Sequence, residues 1–273
     1  MKKIFFALFM QAVLALPLMA QEVAGADTLG VVSSSSSAVG EAVSKAVADE
    51  AYAAGDYARA ISIYEQLLAT EGEAAEVYYN LGNSYFKQDQ LAHAILNYER
   101  ALLLQPGDDD IRFNLELAQS RTVDKITPLS ELFFVRWAKD FASLQSSDGW
   151  TRLGIAAFLL VLSGVAVYLF ASRMALRKVG FFVALACVVL CVVANLSAVW
   201  QKSQRQDCRW AIVMSPSVTA KSTPAHSGTD LFVAHEGLKV EIKDNTMTQW
   251  KEIRLPDGNV GWVPAEAVAL IAE

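Results

Sequence analysis

Residues Tyr78-Tyr79-Asn80-Leu81-Gly82-Asn83-Ser84-Tyr85 begin a helix-period pattern that continues through Ala94, Tyr98 and Ala101 and stops at Pro106. A weaker copy lies 34 residues earlier, with Ala48, Gly55, Asp56, Tyr57, Ala60, Ile61, Tyr64 and Leu68 at the matching places, so that Ala60 and Ala94 are related by the period. A fixed period of this kind predicts stacked helical hairpins rather than a single globular core. The residue types fit that geometry. Gly82 and Ala94 are small where the two helices of one hairpin must cross, Tyr85 and Tyr98 are large enough to fill the space between hairpins, and Pro106 ends the second helix.

Tyr78, Leu81, Gly82, Tyr85, Ala94, Tyr98, Ala101 and Pro106 together resemble the tetratricopeptide (TPR) repeat signature, so an all-α TPR domain is expected over 43–126. Gly107-Asp108-Asp109-Asp110 supplies acidic groups suited to a helix N-terminus, followed by Ile111, Leu115 and Ala118 at helical spacing, which predicts a capping helix. TPR arrays hold peptides on the concave face made by the first helix of each repeat. The candidate groove residues are therefore Lys45, Tyr79, Asn80, Asn83, Lys87, Arg112 and Asn114. Lys45 and Asn80 match the two-carboxylate clamp of one TPR subgroup, whereas Asp49, Asp110 and Asn114 stand where that clamp needs other side chains, so capture of a terminal carboxylate is not expected. Between Glu41 and Lys125 there are fifteen acidic and seven basic side chains, a net of −8 that opposes a nucleic-acid partner. Those acids read either as a solvated helix surface or as attraction for a basic partner.

Working outward, the chain is 53% hydrophobic with a formal net charge of −6, more apolar than a soluble protein of 273 residues. Met1-Lys2-Lys3, an apolar run from Ile4 to Leu16 and the small residues ending at Ala20 predict a signal peptide over 1–20. An uncleaved signal anchor is the alternative reading. Residues 21–42, with a serine run from Ser33 to Ser37, predict a flexible leader. Cys187, Cys191 and Cys208 imply neither a disulfide framework nor a metal site, since the first two lie in an apolar run with no His or acid beside them.

Phe133, Trp137, Phe141 and Leu144 fall on one helix face, predicting an amphipathic helix within 127–148. It would lie in a membrane interface or dock on the capping helix. Two apolar runs, 150–171 and 179–200, are each long enough to cross a bilayer. The connection over 172–178 carries Arg173, Arg177 and Lys178 and no acid, which marks a cytoplasmic turn and puts both flanking domains outside. Trp150 and Trp200 are the expected interfacial anchors. With no charge or histidine at the centre of either run, a transport pathway is not expected, and Gly164 with its small neighbours predicts close helix packing.

From 208 to 273 the pattern changes to seven short β-prone segments with turns at His235-Glu236-Gly237 and Pro256-Asp257-Gly258-Asn259. Gly261-Trp262-Val263-Pro264, with Pro216-Ser217-Val218, Glu236-Gly237 and Trp250, resembles the bacterial SH3 family, small all-β barrels that bind peptides or cell-wall material. Trp250 and Trp262 are the candidate ligand face, with a core position the competing reading for Trp262. His93, His226 and His235 are the only histidines and stand in no catalytic or metal-binding spacing, so no enzyme activity and no cofactor is expected.

The order of these parts, with Ile111-Arg112-Phe113-Asn114-Leu115-Glu116-Leu117-Ala118 and Asp124-Lys125-Ile126, resembles the BatE family, the TPR members of the Bacteroides aerotolerance operon group. The resemblance implies a multidomain membrane protein of the bacterial inner membrane with its TPR and SH3-like domains in the periplasm. It further implies a non-enzymatic scaffold or adaptor in a complex linked to oxidative-stress tolerance. The partners it implies are membrane proteins bearing von Willebrand factor A domains. A peptidoglycan-binding sensor or anchor acting through the SH3-like domain is the alternative.

Overall fold

A computed structural model describes residues 44–126, 132–206 and 209–272. The signal peptide and leader readings, the start of the amphipathic helix at 127–131 and Cys208 lie outside these residues. The described residues fall into two compact bodies, one formed by 44–151 together with 196–272, the other by Arg152–Asn195.

In the first body five helices form two hairpins and a cap: α1 (Lys45–Ala53), α2 (Tyr57–Glu71), α3 (Ala75–Lys87), α4 (Leu91–Leu104) and α5 (Asp109–Ser120). Their starts are set locally. Ser44, Asp56 and Asp108 accept hydrogen bonds from the first-turn N–H groups of α1, α2 and α5. The α1–α2 turn uses Gly55 at φ +79°, and one period later Asp89 occupies the same place between α3 and α4 at φ +60°. Side-chain volume follows the period as well: Ala48, Ala60, Ala94 and Ala101 are fully buried, and Tyr64 and Tyr98 fill the space between layers at 1% exposure each. A Cβ on Gly82 would come within 2.8 Å of the Tyr98 ring, so the crossing of α3 and α4 requires glycine there.

The C-terminal segment is an antiparallel sheet of β1 (Trp210–Val213), β2 (Ser217–Lys221), β3 (Asp230–His235), β4 (Lys239–Asp244), β5 (Trp250–Arg254), β6 (Val260–Pro264) and β7 (Val268–Leu270). The strands are ordered β3-β2-β6-β5-β4-β1-β7. Ala211, Val213, Ala220, Val240, Ile253 and Val263 point to one side and form its core. In β6, Gly261 and Val263 are buried while Trp262 between them is half-buried, so the period-2 alternation turns Trp262 away from the core. The core reading of Trp262 is corrected on that ground.

This sheet docks on the helices. Ile212 and Ile271 belong to the same apolar cluster as Ile95 of α4 and Ile111 of α5. Arg100 Nε and Nη2 donate to the carbonyls of Ile271 and Leu270 at 3.1 and 3.0 Å. Lys239 Nζ lies 2.7 Å from the buried carboxylate of Glu99. Asp124 clasps the end of β3, accepting from the backbone N–H of His235 at 2.8 Å and facing its Nδ1 at 2.9 Å. Gly237, at φ +81°, would drive a Cβ to 2.7 Å from Thr122 and 2.9 Å from Ile95. These contacts are made by α4, by Ile111 of α5 and by the segment after α5.

The amphipathic helix α6 (Phe133–Ala142) is shorter than the sequence pattern because Ser143 caps it and a new helix begins four residues later. Phe133 and Trp137 are 83% and 70% exposed. Trp150, expected as an exposed anchor, is instead 4% exposed, with Nε1 donating to Ala142 O at 2.8 Å and its ring 5.5 Å from that of Phe141. Gln201 donates to the same carbonyl and to Gln145 O.

Two long helices, α7 (Ser147–Phe170) and α8 (Met174–Gln206), form a hairpin. The turn expected over 172–178 is shorter, since Met174–Lys178 already belongs to α8. Both helices are long and apolar enough to cross a membrane, with hydropathies of 2.5 and 2.7 over their most apolar windows. In the second body they meet through glycine: a Cβ on Gly164 would lie 2.9 Å from Gly180 O, and one on Gly180 would lie 2.8 Å from Gly164 O. Below 3 Å from a backbone atom no side chain fits, so this approach is specified by sequence.

Candidate protein-binding groove

The first helices of the hairpins, α1 and α3, and the cap α5 present one polar face, and its centre is Asp49. Lys45 Nζ reaches Asp49 Oδ2 and Glu76 Oε1, both at 2.8 Å. Asn80 donates to Asp49 Oδ1 at 3.1 Å, and the Tyr64 hydroxyl donates to the same atom at 2.5 Å. Burial alone would raise the Asp49 carboxyl, but donation from Lys45, Tyr64 and Asn80 outweighs it and holds the group below the usual carboxylate range. The same contacts, first with Asp49 and then with Glu76, raise Lys45. Burial, then donation to Asp49, pushes the Tyr64 phenol up. A carboxylate entering here would meet Asp49 and Glu76, and Lys45 is already shared between them.

The next layer is tied in the same manner. Asn83 accepts from the Tyr98 hydroxyl at 2.7 Å, and burial raises that phenol. Asn114 donates to the Tyr79 hydroxyl at 2.7 Å, and the Tyr79 and Tyr98 rings lie 6.1 Å apart. Lys87 is exposed at the end of α3. The structure therefore brings Lys45, Tyr79, Asn80, Asn83 and Asn114 to one surface.

Arg112 does not join them. It precedes Asn114 by two residues, about 200° around the helix, and its guanidinium donates to Asp109 at 2.9 Å and to Pro106 O at 2.8 Å. Sequence reading missed the apolar part of the face. Phe113 and Leu117, 66% and 38% exposed on α5, stand one period after Tyr79 and Asn83, and Arg121 lies 4.4 Å over the Phe86 ring beside them. The 34-residue period, carried one step further, identifies Phe113 and Leu117: Asp49, Asn83 and Leu117 are one series, and Lys45, Tyr79 and Phe113 another.

The second candidate face is on the sheet. Trp250 is 9% exposed, with the His226 ring edge-on at 5.1 Å, whereas Trp262 is half-buried opposite Lys221 and Glu252. Among the described residues no group of His, Cys, Asp or Glu is arranged to hold a metal ion.

The chain matches no curated protein. Residues 75–108, which hold α3, α4 and the turn after them, match the tetratricopeptide repeat family, so this part of the chain is a TPR repeat and the face just described is the kind that such repeats use to hold protein partners.

Proposed function

We propose that the chain is a non-enzymatic adaptor, anchored in the bacterial inner membrane by α7 and α8, whose TPR groove holds a segment of another membrane protein. One observation carries this reading: the sheet packs on the second helix of the TPR hairpin, α4, and leaves the face of α1, α3 and α5 open. Three positive side chains and no acid in Ser172–Lys178 favour a cytoplasmic turn, which puts the groove and the sheet in the periplasm. The resemblance to the BatE family favours a von Willebrand factor A domain protein as the partner and a link to oxygen tolerance. The seven-stranded sheet is read as an SH3-like barrel.

A photoreactive residue at Asn83, in intact membranes, is expected to capture a von Willebrand factor A domain protein, while the same probe at Arg112 captures far less. Equal capture at both positions, or self-crosslinks alone, would exclude the groove as the site. The outward position of Trp262 favours one second reading, a wall-binding sheet. Sedimentation of the membrane-extracted protein with purified peptidoglycan, lost on Trp262→Ala, would support it.

A further inference from the structure

Both long helices change from apolar to polar at a tryptophan. In α7 Ser147-Asp148-Gly149 precedes Trp150, and in α8 Gln201-Lys202 follows Trp200. The polar ends of the two helices meet α4 and the last residues of the chain around a cavity of about 800 Å3. Three cations from two elements line it, Arg100 of α4 and Lys202 and Arg205 of α8, against two acids, Glu73 and Asp148. Arg100 is fixed in place by its bonds to the Leu270 and Ile271 carbonyls. Arg205 approaches Glu73 at 3.7 Å, close enough for attraction but too long for a hydrogen bond. A phosphate offering shorter, charge-assisted bonds would compete well for that guanidinium.

Arg205 also borders a second cavity of about 410 Å3, where Leu102, Leu103, Pro106, Trp200 and Trp210 share the walls with Lys139 and Lys239 and with the acids Glu99 and Asp140. With cations outnumbering acids on one side of Arg205 and a mainly apolar wall on the other, this cleft suits an amphiphile with an anionic head. It lies where both helices leave their apolar runs, the depth at which headgroups sit beside a spanning helix. We propose that the cleft binds the phosphate-bearing headgroup of a membrane lipid. The proposal rests on the reading that α7 and α8 span the bilayer.

The test is native mass spectrometry of the full chain extracted from membranes in mild detergent. Wild-type protein is expected to retain phospholipid, and Lys202→Glu with Arg205→Glu to lose it at least tenfold. Lys202→Gln, a milder change at an exposed position, should lose part of it. Glu73→Gln, which removes the competing acid, should retain more. Delipidated protein should rebind phosphatidylglycerol from nanodiscs, and 10 mM inorganic phosphate should not replace it, since phosphate lacks the part that the apolar wall holds. Retention unchanged in all three variants overturns the proposal. So does a lipid-free wild-type protein that still resists alkaline extraction, or displacement of the lipid by phosphate alone. Release of the chain by alkaline extraction would sink the spanning reading itself, a separate result.

Discussion

Asp49 accepts from three side chains on three helices, and the most buried of them is Tyr64. Asp49→Ala leaves that hydroxyl without its acceptor and is expected to lower unfolding free energy by about 1–3 kcal/mol in urea melts. The pH dependence has a definite sign. Because the folded carboxyl titrates below its usual value near 3.8, its contribution is complete above that pH and fades as pH falls through the folded value. Asp49→Asn should therefore flatten the acid limb of the stability curve, and an unchanged limb would show that the contacts are not formed in solution. Asp89 poses the opposite case. It holds φ +60° where the earlier repeat has Gly55, a conformation that an Asp side chain tolerates at some cost. Asp89→Gly is expected to be neutral or to stabilise by up to about 1 kcal/mol in the same melts, whereas Gly55→Val should destabilise.

At the scale of elements, the Gly164–Gly180 approach sets how closely α7 and α8 pack. Gly164→Leu must push a side chain against Gly180 O and Ala184, so the hairpin separates or α7 rotates. The expected loss is about 1–3 kcal/mol, as for other overpacked sites, visible as a lower Tm in detergent, while Gly149→Ala meets only the end of the flexible Gln145 side chain and should change little. The helices and strands were legible because each is written in local periodicity: 34 residues for the repeats, unbroken apolar runs for α7 and α8, alternation for the sheet. What failed were judgements that depend on rotation about an element. Arg112 and Asn114 look adjacent in sequence yet face apart on α5, and Trp262 has the hydrophobicity of a core residue but the wrong parity on β6. Trp150 carries the signature of an interfacial anchor, and only the carbonyl of Ala142, released at the end of α6, explains its burial. The groove was partly legible for the same reason. Asn80 and Asn83 stand out as polar residues in an apolar repeat, while Phe113 and Leu117 look like ordinary core residues until the 34-residue period is carried onto α5 and places them on the groove face.

At the scale of the whole molecule, the docking of the sheet on the helices was invisible in the sequence. Glu99 is one of the acids that read as a solvated helix surface, and the carbonyls that Arg100 binds belong to the backbone, which carries no residue signal. Their burial has consequences for cooperativity. Ile95, Ile212 and Ile271 share one apolar cluster, and each buried isoleucine contributes about 1.5–3 kcal/mol, so the TPR repeats and the sheet are expected to unfold in one transition. Lys239→Met tests this directly. It leaves the Glu99 carboxylate, with 8% of its side chain exposed, facing an apolar group, and removing one partner of such a pair destabilises by about 3 kcal/mol, less here because Lys239 is a third exposed. Glu99→Gln in the Lys239→Met background removes the stranded charge and should recover much of the loss. If the interface couples the two parts, helical and near-ultraviolet signals will shift by the same amount in both variants. A shift of the sheet alone, with the helical transition unmoved, would mean that the repeats stand without it and that the open groove does not depend on the sheet behind α4.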